Sequence, residues 1–177
     1  MIYELRQYTL RPGQRDVLIE LFEREFVESQ EALGMSLPGL FRNVDNPDRF
    51  VWIRGFADME SRRPALTEFY TGAAWKEHAA AANATMIDTD DVLLLRPIID
   101  FPSVASESVG LITVQIGPLP APSVPDDVIA ALETIDVENN FPALPVRSGE
   151  ELFVWFRRGE HPNSTLRLAP TERSLLR

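Results

Sequence analysis

Arg49-Phe-Val-Trp-Ile-Arg54 recurs later in the chain as Leu152-Phe-Val-Trp-Phe-Arg157, and this pair of hexapeptides decides the fold. Each copy is followed by a second shared run, Val92-Leu-Leu-Leu-Arg-Pro97 in the first half and Thr165-Leu-Arg-Leu-Ala-Pro170 in the second. Two related segments in the same order, each near the end of its half, indicate one supersecondary unit written twice rather than two unrelated domains. The expected division is a complete unit over residues 1–100, a linker over 101–109 and a reduced unit over 110–177.

Working outward from Arg49–Arg54, the first half reads cleanly. Ile2 to Leu10 alternates with the period of a strand, and Pro12-Gly13 stops it. From Gln14 to Leu33, Leu18, Leu21, Phe22, Phe26 and Leu33 fall on one stripe, the pattern of an amphipathic helix lying on a sheet. Gly39 to Val44 and Phe50 to Phe56 form strands joined by the turn Asn46-Pro47-Asp48, so they read as a hairpin. Asp58 can cap the next helix, which spans Pro64 to Ala84 with a break near Thr71-Gly72, and Val92 to Arg96 closes the unit as a fourth strand. The order β-α-β-β-α-β is the split ferredoxin-like unit.

The second half repeats the plan with parts missing. Strands are expected at Leu111–Ile116, Leu152–Arg157 and Leu166–Leu168, with a short helix at Val124–Ile135. The second strand is short or absent, and between Arg157 and Thr165 there is room only for a turn, so the second helix is gone. Pro102–Glu107 and Gly117–Pro125, rich in Pro, Ser and small residues, read as linker and loop.

Strand parity then sorts the side chains. Val51 and Ile53 alternate with Phe50, Trp52 and Arg54, and Val154 and Phe156 with Phe153, Trp155 and Arg157. If aliphatic residues suit the helix layer, the aromatic and Arg set faces the other sheet, together with Glu4, Arg6, Tyr8, Thr113, Gln115 and Arg167. A space lined this way is either a self-paired core or a cleft for an anionic or carbonyl-bearing molecule, because Arg makes bidentate contacts with planar oxyanions.

Tyr3-Glu-Leu-Arg-Gln-Tyr8 with Pro12-Gly13, then Phe69-Tyr-Thr-Gly-Ala-Ala-Trp75-Lys-Glu-His78 leading to Asn83 and Leu93-Leu-Leu-Arg-Pro97, resemble the NIPSNAP family. The second half, notably Asn139-Asn-Phe-Pro-Ala-Leu-Pro-Val-Arg147, resembles the degenerate second copy of tandem bacterial members. The resemblance implies an α+β fold: two ferredoxin-like repeats, the second without its second helix, forming an intrachain dimeric α/β-barrel with helices outside. It implies no single reaction.

Composition removes several alternatives. With no cysteine there is no disulfide, thiol nucleophile or thiolate metal site, and a net charge of −10 argues against nucleic acid. Two distant His and no clustered carboxylates leave no recognisable metal set, so neither metal nor cofactor is expected. No leader and no membrane-length apolar run is read, and the expected setting is cytoplasmic. His78 lies one helical turn from Trp75 and is the histidine placed for proton transfer, with Tyr70 and Tyr8 able to donate to an oxyanion. Glu4, Arg6, Trp52, Arg54, Trp75, Trp155, Arg157 and Arg167 are the expected substrate-binding set.

The reading is a cofactor-independent enzyme of proton-transfer, cyclisation or isomerisation type on a small carbonyl- or carboxylate-bearing metabolite. A non-catalytic small-molecule binding protein and an assembly module are the alternatives, with a haem-binding barrel, suggested by Trp75 and His78 through fold resemblance, as a remote one. A homodimer is expected on a further ground: with a helix missing, Val154, Phe156, Leu166 and Leu168 would form an uncovered apolar face, closed by a second chain or by the tail around Leu175 and Leu176.

Overall fold

The computed structural model describes residues 1–104 and 109–177, so the expected linker over 101–109 lies partly outside the described residues. In the first half, strand β1 (Ile2–Leu10) leads into a helix in three continuous parts: α1 (Arg15–Leu21), a π-helical turn (Phe22–Phe26) and α2 (Val27–Glu31). Strands β2 (Ser36–Asn43) and β3 (Arg49–Phe56) form the expected antiparallel hairpin. Helices α3 (Met59–Thr71) and α4 (Ala73–Thr85) follow, split at Gly72, and then the short β4 (Met86–Asp88) and β5 (Val92–Ile99). The Asp58 side chain accepts from the Ser61 N–H, and the Ser61 hydroxyl receives the Asp58 N–H. This reciprocal cap starts α3 before Pro64, the residue from which the sequence pattern alone begins it.

The second half holds β6 (Ile112–Pro118), β7 (Val128–Thr134), β8 (Leu152–Arg158) and β9 (Leu166–Pro170). The helix expected at Val124–Ile135 is therefore a correction: that segment is strand β7. Its Ala and Leu favour a helix locally, but the sheet needs a strand between β5 and β8, and tertiary pairing overrides a weak local preference. The second strand thought short or absent is this one.

Every pairing is antiparallel, and the order β3-β2-β9-β6-β8-β7-β5-β1 closes through β1–β3 into an eight-stranded barrel, with β4 appended to β1. The four strands of each half take the same lateral order, fourth-first-third-second. They join at two seams, Phe41↔Pro170 on β2–β9 and Leu95↔Thr134 on β5–β7.

The parity sets of the sequence are real, but they face the opposite way. Leu5, Phe41, Val51, Ile53, Leu93, Ile112, Val114, Val154, Phe156, Leu166 and Leu168 pack together in one buried cluster inside the barrel. Tyr8, Phe50, Trp52 and Phe56 instead pack with Leu18, Phe22, Phe26, Leu66 and Phe69 of the helices. Trp155 and Phe153 lie in a third cluster with Leu119, Ala121, Val124 and Val128, so the crossover loop covers the face that a helix would cover. The expectation that Trp52 and Trp155 share the interior is thus corrected. The reason is hydrogen bonding: a ring of strands offers buried charges few partners beyond its own side chains, whereas helix side chains can complete their bonds.

The same inversion removes the ground for a second chain. Val154, Phe156, Leu166 and Leu168 are barrel interior, and no open apolar face is left there. The tail nonetheless folds back. Leu176 is buried in the interior cluster, its N–H donates to Pro38 O, and the Ser174 hydroxyl accepts from the Leu40 N–H. Replacing Leu176 with Ala should cost about 2–4 kcal/mol in urea unfolding, while half-buried Leu175→Ala should cost far less; equal costs would show that the tail is not a plug.

Candidate functional site

The first-half sheet and its helices enclose an ion cluster centred on Glu4 of β1. Glu4 Oε2 accepts from Arg6 Nη1 (2.7 Å) and from Arg54 Nη2 and Nε (2.7 and 3.0 Å). Glu4 Oε1 accepts from Arg62 Nε (2.7 Å), and Arg62 Nη2 makes a charge contact with the same oxygen. All four side chains are fully buried. Arg6 and Arg54 come from neighbouring strands, because Arg6 is cross-strand from Trp52 and Glu4 from Arg54. Arg62 comes from the first turns of α3, on the buried face with Leu66 and Phe69.

Three guanidiniums share one carboxylate, and among the described residues no other acid reaches them. Neutral partners take up the remaining donors: Tyr8 for Arg6 Nε (3.2 Å), Gln30 and Tyr70 for Arg54 Nη1 (3.0 and 3.5 Å). Aromatic faces spread the excess charge further, with Arg6 and Arg54 at 5.4 and 5.1 Å from the Trp52 ring and Arg62 at 6.0 Å from Phe56. Burial by itself would raise the Glu4 carboxyl, but Arg54, Arg6 and Arg62 outweigh it and hold Glu4 far below the usual carboxylate range. Burial pulls Arg62 below the ordinary Arg value despite Glu4, and Arg54 and Arg6 add their repulsion.

Beside this cluster lies a cavity of about 100 Å³ lined by Tyr8, Phe22, Phe26, Gln30, Trp52, Phe69, Tyr70, Trp75, Asn83, Met86, Thr89 and Leu144. Two larger clefts, about 550 and 560 Å³, flank the loop between β7 and β8. They lie away from the ion cluster, and the smaller cavity is where unspent chemistry gathers. The Tyr8 and Tyr70 hydroxyls each accept a hydrogen bond from an Arg and donate none, and the buried Trp52 indole Nε1–H has no partner. Burial pushes the Tyr8 hydroxyl up, against the pull of Arg6. The π-helical turn carries Phe22 and Phe26 to the wall. Just beyond it, Gln30 donates from Nε2 to Phe26 O (2.9 Å) and offers its oxygen to Arg54.

The structure brings together seven of the residues expected from sequence: Glu4, Arg6 and Arg54 in the ion cluster, and Tyr8, Trp52, Tyr70 and Trp75 on the cavity wall. His78 is placed elsewhere. Its ring packs against Phe26 (centroids 6.3 Å apart), its Nε2 lies 3.3 Å from Glu25 Oε2, and it does not line the cavity. Trp155, Arg157 and Arg167 belong to the far side of the molecule. Trp155 packs under the crossover loop, Arg157 binds Asp127 (2.8 Å), and Arg167 binds Asp45 (2.7 Å) and Glu160 (2.6 Å). Thr113 also points outward, donating to Gly159 O. Arg62, Gln30 and Leu144 escape the sequence reading. For Arg62 a signal existed, since the Asp58/Ser61 cap begins α3 early enough to place it in register with Leu66 and Phe69.

A closed antiparallel barrel with helices over one half defines the α+β class of ferredoxin-like barrels. The NIPSNAP sequence profile matches residues 3–102, more than half of the chain, and the chain belongs to the NIPSNAP family. Among solved structures, a NIPSNAP-like domain protein from Burkholderia xenovorans is 25% identical with a TM-score of 0.51, over 57% of this chain and 88% of its own. A NIPSNAP family protein from Agrobacterium tumefaciens is 20% identical with a TM-score of 0.51, over 58% of this chain and 96% of its own. The whole barrel resembles a Lactobacillus acidophilus protein that carries a provisional monooxygenase name, at 11% identity and a TM-score of 0.60, over 96% of this chain and 93% of that one. No curated protein matches the chain.

The ion cluster makes a pH prediction. A carboxyl depressed on folding contributes stability that is fully present above its unfolded value, about 4.3, and is lost as pH falls through the folded one. Urea midpoints should therefore drop below about pH 4. Glu4→Gln should cost about 3–5 kcal/mol at pH 7 and flatten that acid limb; a variant with wild-type stability would refute the cluster's role.

Proposed function

We propose that the chain binds a small carbonyl- or carboxylate-bearing metabolite in the cavity between sheet and helices and acts on it without a cofactor. One observation carries this reading: Tyr8, Tyr70 and Trp52 line one cavity with hydrogen-bond donors unspent, beside three guanidiniums held by a single carboxylate. Unspent buried donors are costly, and an acceptor oxygen from a ligand repays them. Net positive charge behind them favours an anion or a carbonyl oxygen gaining charge. At about 100 Å³ the cavity has the room of roughly three waters, which fits a ligand of a few non-hydrogen atoms.

The step such a wall accelerates is enolisation. A tyrosine hydroxyl donates to the carbonyl oxygen as the α-proton leaves, and the guanidiniums stabilise the oxygen's developing charge. A second reading, binding without turnover, is favoured by the absence of any carboxylate or imidazole from the cavity-lining residues.

Pyruvate is a probe of the right size and charge. Calorimetry should show saturable binding, weakened about tenfold or more in Tyr70→Phe and in Trp52→Phe. Exchange of the pyruvate methyl protons in deuterated water, followed by NMR, should be accelerated and should fall about 10²-fold or more in Tyr8→Phe. Binding without exchange would select the second reading; no saturable binding, or binding indifferent to both wall variants, would sink the proposal.

A further inference from the structure

The cavity belongs to the first half, yet part of its wall comes from the second. Leu144, in the loop joining β7 to β8, lines it, and Phe141 of the same loop stacks on Tyr70 with ring centroids 6.1 Å apart. The loop is held by polar bonds that lead back to the ion cluster. Arg62 keeps Nε on Glu4 and donates from Nη1 to Asn139 Oδ1 (3.0 Å) and Asn140 Oδ1 (2.8 Å). Asn139 in turn donates from Nδ2 to Leu144 O (2.8 Å) and accepts from the Phe141 N–H (3.1 Å), while Asn140 Nδ2 donates to Met59 O. A continuous path thus runs from Glu4 through Arg62 and Asn139 to the backbone of Leu144.

We propose that Leu144 sets the size of ligand the cavity accepts and that Arg62, Asn139 and Asn140 are the positioning residues that hold Leu144 in place, so that the reduced second half completes the site of the first. The proposal rests on the cavity being the ligand site. It follows from geometry that a loop with no helix or strand of its own, spanning residues between Thr134 and Leu152, presents one apolar side chain to the cavity. That orientation depends on side-chain amides whose acceptors and donors are all engaged. One methylene of space in an apolar pocket discriminates ligands by about 10-fold or more, so removing most of the Leu144 side chain should change selectivity, not merely affinity.

Two measurements test this. In the first, acrylamide quenching is read in a Trp155→Phe background, where Trp52 and Trp75, both on the cavity wall, are the remaining tryptophans. Leu144→Ala and the double change Asn139→Ala with Asn140→Ala should each raise quenching severalfold while the far-ultraviolet circular dichroism stays unchanged. This measurement needs no ligand, and unchanged quenching in both variants would overturn the proposal. In the second, dissociation constants are compared for pyruvate, 2-oxobutyrate and phenylpyruvate. Wild type should prefer pyruvate, and Leu144→Ala should shift the preference toward the larger acids by about 10-fold or more. A preserved ratio would overturn the role of Leu144. If none of the acids binds wild type while quenching responds as described, the roof stands and the proposed ligand class falls.

Discussion

Glu4 is the one carboxylate that three buried guanidiniums share, and most of the structure near it is arranged around the cost of keeping them dry. Moving an ion out of water costs several kcal/mol even after the surroundings relax, and a one-to-three ratio cannot be repaid by Coulomb attraction alone. The remainder comes from groups drawn in from every nearby element: Tyr8 of β1, Gln30 of α2, Tyr70 of α3, and Asn139 and Asn140 from the far half of the chain. The rings of Trp52 and Phe56 take up charge across their faces. Burying this cluster inside the barrel would have left those partners out of reach, which is why the charged face of β1 and β3 lies under helices.

That constraint gives the two halves different work. In the first, the helix layer both satisfies the cluster and leaves a cavity. In the second, the corresponding outer face carries Trp155 and Arg157, but the crossover loop lies directly on Trp155, and Arg157 turns to Asp127 at the surface. The second half contributes four strands, closing a sheet that would otherwise have two open edges, and it contributes the loop that reaches over the cavity. Loss of its helices costs little where no ion cluster needs them.

The strands of the first half, the Gly72 break and the repeated hexapeptide were legible because periodicity and turn chemistry are local. The side to which each face points was not. Alternation in Arg49–Arg54 states which residues go together, but whether Val51 or Trp52 looks into the barrel depends on which layer can supply hydrogen-bond partners, a tertiary property. Val124–Ile135 failed for a related reason, since its Ala and Leu content describes an isolated helix and not a strand wedged between β5 and β8. At the site, Glu4, Arg6, Arg54, Tyr8, Trp52, Tyr70 and Trp75 carried chemistry on elements of clear period and could be found. Leu144 could not, because an apolar residue in a loop carries no mark of what it covers.

Central to this account is that buried positive charge, left in excess by Glu4, selects an anion at the cavity. Thermal unfolding with increasing pyruvate, set beside its uncharged analogue methyl pyruvate, tests that most directly. A ligand that binds only the folded chain stabilises it by about 2.7 kcal/mol at one hundred times its dissociation constant. The account predicts a rising midpoint with pyruvate and little or none with the ester at equal concentration. Equal shifts from both, or a larger shift from the ester, would contradict it.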